Sequence, residues 1–119
     1  MPHGPDFTKA PPELAARFSA TVSALPGAQV RQMFGYPAGF VNGNLFTGIF
    51  ASSWFVRLPD DERDELASAG GTAFSPMPGR PMREYLVMPD GLASDPDAVE
   101  AWVRRALEYG SRLPPKAKR

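Results

Sequence analysis

The sequence predicts an α+β domain in two layers, an antiparallel sheet packed against helices, with the element order α-β(3–4)-α-β(1–2)-α. Three observations carry this expectation. Leu14, Phe18, Val22 and Leu25 near the start, and Val99, Trp102, Val103, Ala106 and Leu107 near the end, recur at helical spacing, so each set lines one face of a helix. Between them, Asn42-Gly43 joins two apolar runs. A type I′ hairpin turn favours that pair because both of its central residues need positive φ. Alternating and aromatic segments with turn signals between them lie on either side of this pair.

Residues 1–10 are rich in Pro, Gly and charge and read as a loose tail. Pro11-Pro12 open the first helix, because Pro lacks only a donor that the first turn leaves unpaired, and Pro26-Gly27 end it. Residues 29–34 read as a strand broken by Gly35-Tyr36-Pro37. Residues 39–41 and 44–51 flank the Asn42-Gly43 turn. A turn at Ser52-Ser53 leads into a strand over residues 54–58. Pro59 opens a second helix whose first turn carries Asp60, Asp61 and Glu62, where the macrodipole favours negative charge. Leu66 and Ala69 are expected to face inward, and Gly70-Gly71 to stop the helix. Residues 72–74 form a short strand, residues 75–81 a proline-stiffened loop, and residues 82–88 the last strand. The final helix is capped by Asp95, has Pro96 in its first turn, and carries Glu100–Arg104 and Glu108–Arg112 as i,i+4 pairs. Pro114-Pro115 end it, so residues 11–115 form one domain and residues 116–119 a basic tail.

At 119 residues, with 43% apolar residues, eight Phe and two Trp, the chain suffices for one domain with a real core. Its 13 basic and 13 acidic residues balance, so no global field draws it onto nucleic acid or anionic lipid, and direct DNA binding is not expected. The absence of cysteine removes disulfides, thiolate nucleophiles and sulfur-ligated metals together. No signal-peptide pattern opens the chain and no apolar run reaches membrane-spanning length, so the cytoplasm is the expected compartment.

Catalytic machinery is hard to assemble from these residues. The single histidine, His3, lies in the N-terminal tail, away from any triad or metal cluster. No GxGxxG or GxxxxGK[ST] phosphate cradle occurs. The carboxylates Asp60, Asp61, Glu62, Asp64 and Glu65 read as a solvated helix face, with a hydrolytic or metal-binding pair as the alternative. Glu84 reads as a lone carboxylate able to pair with Arg83 or Arg80. Two features point elsewhere. A tight Asn42-Gly43 turn puts Phe40, Leu45, Thr47, Ile49, Val56 and Leu58 on the core side of the sheet. Val41, Phe46, Gly48, Phe50, Phe55 and Arg57 then fall on the other side, too apolar for a freely solvated face. Either a helix covers that side as well, or it is an interaction or self-association surface. The second feature is the segment 77–82. Prolines hold Arg80 with little entropy left to lose, Gly79 leaves room beside it, and Met77 and Met82 flank it. That arrangement suits an anion, while the plainer alternative is a structural turn.

Met33-Phe34-Gly35, Phe40-Val41-Asn42-Gly43-Asn44-Leu45-Phe46 and Val56-Arg57-Leu58-Pro59 resemble the N-terminal domain of the TfoX/Sxy competence regulators. So do the run from Phe74 to Tyr85, Trp102-Val103 and Leu113-Pro114-Pro115. The resemblance covers residues 12–116. It implies a two-layer α+β fold and a link to transcriptional control of DNA uptake, where the founding members act as co-activators beside a cyclic-AMP receptor protein. It brings no catalytic residues. Those regulators carry a second, C-terminal helical domain, and this sequence ends at Arg119, so a stand-alone N-terminal domain is expected.

The expected function is therefore that of a non-catalytic interaction or regulatory module with a protein partner or self-association. The candidate contacts are Met77, Gly79, Arg80, Met82, Arg57, Phe46, Phe50, Phe55 and Tyr85. The alternative is a small anionic-ligand domain using Arg80, Arg57 and Tyr85; a third class is an unfamiliar enzyme built on carboxylates and Tyr. No cofactor or metal is expected. Treatment with a chelator should accordingly leave the melting temperature unchanged, and a clear fall would reveal a structural metal.

Overall fold

The protein's structure, a computed structural model, describes residues 11–33, 35–75 and 82–115. Helix α1 (Pro12–Ser23) starts on the expected prolines and buries Phe18 and Val22, with Leu25 completing its stripe just beyond the helix. Strands β1 (Gln29–Met33), β2 (Tyr36–Val41), β3 (Asn44–Phe50) and β4 (Ser53–Arg57) follow as an antiparallel meander. Asn42 and Gly43 take φ of 53° and 80°, the left-handed conformations that the Asn-Gly signal calls for. Helix α2 (Asp60–Ser68) ends where Gly70, at φ 110°, lets its own N–H reach the Ala67 carbonyl and the Gly71 N–H reach that of Leu66. This Schellman closure satisfies carbonyls that the helix end would otherwise orphan.

Strands β5 (Thr72–Ala73) and β6 (Tyr85–Val87), then helices α3 (Asp90–Ala93) and α4 (Pro96–Arg112), complete the described chain. The sheet runs in the order β1-β2-β3-β4-β6-β5, all antiparallel. The α+β class is as the sequence predicts.

Several local readings need correction. Tyr36 and Pro37 do not break the sheet but begin β2. Pro37 lies one residue before the β2–β3 pairing starts at Ala38, where its missing N–H interrupts no rung of that register. The last strand starts at Tyr85 rather than residue 82, because the Tyr85 N–H bonds the Met82 carbonyl and closes a turn there. Ala69 is exposed, Leu66 alone being buried on α2. The turn before β4 is Ala51-Ser52, with Phe50 opposite Ser53 and Ala51 at φ 57°. That moves every partner by two residues, so the β3–β4 faces stay as expected.

The helices gather on one side of the sheet. Phe18 of α1 packs on Trp54 with ring centroids 5.2 Å apart. Leu66 of α2 and Val99, Trp102, Val103 and Ala106 of α4 join the same cluster. The Trp54 indole donates to the Thr47 hydroxyl at 2.9 Å, which donates to the Phe55 carbonyl at 2.8 Å, so two buried polar side chains satisfy each other.

The main correction lies between β2 and β3. Gly39 pairs with Thr47 but Phe40 pairs with Leu45, which leaves Phe46 as an extra residue in β3. The bulge turns Phe46 onto the helix side, where it is fully buried with Val41. Phe40 and Leu45, expected in the core, take the other side. The face expected to carry Val41, Phe46, Gly48, Phe50, Phe55 and Arg57 therefore loses its first two members and gains Phe40 and Leu45.

Helix α4 crosses this hairpin at Gly110. A Cβ there would lie 2.9 Å from Val41 Cγ1 and 3.2 Å from Phe46 Cβ. Neither atom can swing away, since Val41 is β-branched and the other is the root of a ring. In a free helix interior Gly→Ala stabilises by roughly 0.5–1 kcal/mol. Gly110→Ala should reverse that sign and cost about 1–3 kcal/mol through overpacking, as read by urea denaturation. A stabilised variant would show that α4 does not depend on close approach here.

Candidate functional site

Arg57 ends β4 and Tyr85 begins β6, and the register sets them opposite each other. Glu84 stands one residue before the strand, held in place because its carbonyl accepts the Leu58 N–H at 3.0 Å. Its carboxylate receives the Arg57 Nε at 2.7 Å, and an Arg57 terminal nitrogen approaches to 2.6 Å. The other oxygen accepts the Tyr109 hydroxyl of α4 at 3.0 Å. The guanidinium lies 5.4 Å from the Tyr85 ring and 6.0 Å from the Tyr109 ring. Tyr85 spends its own hydroxyl on the Leu45 carbonyl, at 3.1 Å. Four elements are thereby tied at one end of the sheet.

An open groove of about 650 Å³ runs beside this network, lined by Arg57, Asp60, Arg63, Met82, Arg83, Glu84 and Tyr85. Arg63, from the first turn of α2, donates to the Leu58 carbonyl at 2.9 Å and pairs with Asp60. Arg83 is exposed and makes no hydrogen bond or ion pair among the described residues.

Burial alone would raise the Glu84 pKa, but hydrogen bonds from Arg57 and Tyr109 and the charges of Arg57 and Arg63 outweigh it and bring the carboxyl below its ordinary value. Burial raises Tyr85, and burial together with the hydrogen bond to Glu84 raises Tyr109. An ionised carboxylate clamped by a cation and a phenol, beside phenols that hold their protons, is poorly matched to proton transfer near neutral pH. The arrangement gives the carboxylate–tyrosine enzyme reading no support.

The structure brings together Arg57, Tyr85 and Met82 of the expected contacts. Phe46 belongs to the helix-side core, and Phe55 is fully buried, stacked on Phe74 with centroids 4.1 Å apart. Phe50 is half-buried between Tyr36 and Phe74. Met77, Gly79 and Arg80 lie outside the described residues. Glu84 pairs with Arg57 across the sheet rather than with its neighbour Arg83. Four members of the acidic run, Asp60, Asp61, Asp64 and Glu65, are exposed, and no group of three or more His, Cys, Asp or Glu among the described residues could hold a metal. Sequence reasoning missed Arg63 and Tyr109. Tyr109 follows Ala106 by three and so continues the apolar stripe, but nothing in the sequence pointed it at Glu84.

Glu84→Gln should lower stability at neutral pH by up to about 1 kcal/mol, a modest figure for a partly exposed pair. Because the folded pKa lies below the unfolded one, the charge contribution is whole above about pH 4.3 and disappears as pH falls through the lowered folded value. Urea melts of both proteins should therefore converge in acid. A gap that persists there would assign the loss to packing.

No helix of the described residues is long and apolar enough to cross a membrane. A comparison with curated proteins finds no match. The family model described as the TfoX N-terminal domain matches residues 8–109, which takes in every element up to the last turn of α4 and all the groove residues named above. That family is generally non-enzymatic. With this span matched and the expected α+β architecture present, the chain belongs to the TfoX N-terminal domain family, a domain related to competence regulation.

Proposed function

We propose that this domain is a non-catalytic interaction module that works in the cytoplasm, in the transcriptional control of DNA uptake, by docking a protein partner on the helix-free side of its sheet. The observation that carries this reading is the asymmetry of the two faces. The helices gather on one side, while the other carries Phe40, Leu45, Phe55, Phe74 and Tyr85 with no helix against it among the described residues. Phe55 and Phe74 are buried within this ring cluster, and Phe40, Leu45 and Tyr85 are half-buried. A half-buried aromatic flanked by a cation is the kind of anchor that interfaces favour, and the Arg31 guanidinium lies 5.4 Å from the Phe40 ring.

Affinity capture from the native host with wild type and Phe40→Ser tests the proposal. Both proteins should melt cooperatively, and recovery of the specific partner should fall at least about fivefold with the variant, the scale of a modest hot spot. Equal recovery by the two proteins would remove this face from the interface.

A further inference from the structure

The geometry points to a binding site for a phosphate-type oxyanion in the groove between the end of β4, the start of α2 and the residues leading into β6. Three arginines line it against two carboxylates, which leaves one positive charge uncompensated. The three are not equivalent. Arg57 turns its Nε and one terminal nitrogen to Glu84, which Tyr109 also holds, so most of its charge is already answered. Arg63 is tied to the Leu58 carbonyl and to Asp60, but the Asp60 side chain is 92% exposed, so water already weakens that pair. Arg83 has no partner among the described residues. Arg83 is therefore the principal donor, and Arg63 the second, once an anion displaces Asp60.

The class of anion follows from where the donors come from. The two donors, Arg63 and Arg83, stand on separate segments, α2 and the residues leading into β6, so one anion would meet two guanidinium groups from different elements. A tetrahedral phosphate offers three acceptor oxygens to two such donors, whereas a planar carboxylate matches a single guanidinium best. Tyr85 serves as a wall, since its hydroxyl is engaged by Leu45. This site does not depend on a protein partner at the sheet face.

Titration of the full chain with inorganic phosphate at constant ionic strength, followed by NMR and calorimetry, tests it. Wild type should saturate in the millimolar range. Arg83→Gln should weaken binding about tenfold with an unchanged melting temperature, the scale of one charge-assisted contact. Asp60→Asn should tighten it severalfold by releasing Arg63. Acetate should bind about tenfold more weakly than phosphate. A phosphoserine peptide that binds more tightly than inorganic phosphate assigns the site to a phosphorylated protein, and equal affinity assigns it to small phosphate compounds; both agree with the proposal. Unsaturable shifts, wild-type affinity in Arg83→Gln, or acetate binding as tightly as phosphate would overturn it.

Discussion

Phe46 has no partner in β2, and the consequences of that one unpaired residue run through the molecule. Without it, the strict alternation of β3 would send its ring to the side away from the helices. With it, Phe46 and Thr47 both serve the helix side, and the ring fills the space beneath α4. That space exists because Gly110 presents no side chain to Val41 and Phe46. Bulge and glycine are thus complementary: one pushes volume toward the helix, the other withdraws it. Helix α4 can then lie low enough for Tyr109, one residue earlier, to reach Glu84.

The elements that could be read from the sequence are those whose cause is local. Asn42-Gly43 needs only its own backbone to form a turn, and Asp95-Pro96 needs only the first turn of its own helix. Gly70-Gly71 closes α2 through carbonyls three and five residues back, and that too was legible. What escaped depends on contacts between distant segments. The bulge is decided by how Phe46 fits under a helix more than sixty residues later, and no pattern within β3 announces it. The strand expected over residues 82–88 loses its first three residues to a turn that places Glu84 at Arg57, again a nonlocal demand. The site shows the same division. Arg57 and Tyr85 were singled out as anion contacts, but the carboxylate that already occupies Arg57 belongs to a residue whose neighbour looked like the natural partner.

The charged network and the ring cluster meet at Tyr85. Its ring closes the aromatic face against Phe55 and Phe74 and also shelters the Arg57 guanidinium. A contact made on either surface therefore bears on a residue shared with the other. The hydroxyl bond to the Leu45 carbonyl holds Tyr85 across the intervening strand β4 and limits how far the two surfaces can move apart.

The sheet ends at β1 on one side, a five-residue strand with Arg31 at its centre. An open strand of this length is a template on which another chain can add by backbone hydrogen bonding, the first step toward ordered aggregates. A second copy adding antiparallel and centred on residue 31 would set one guanidinium directly opposite another, and like charges across a strand pair repel. Arg31 already rests over Phe40, which shields part of that ring from solvent. The same side chain that flanks the aromatic face thus guards the sheet against growth from its longer margin.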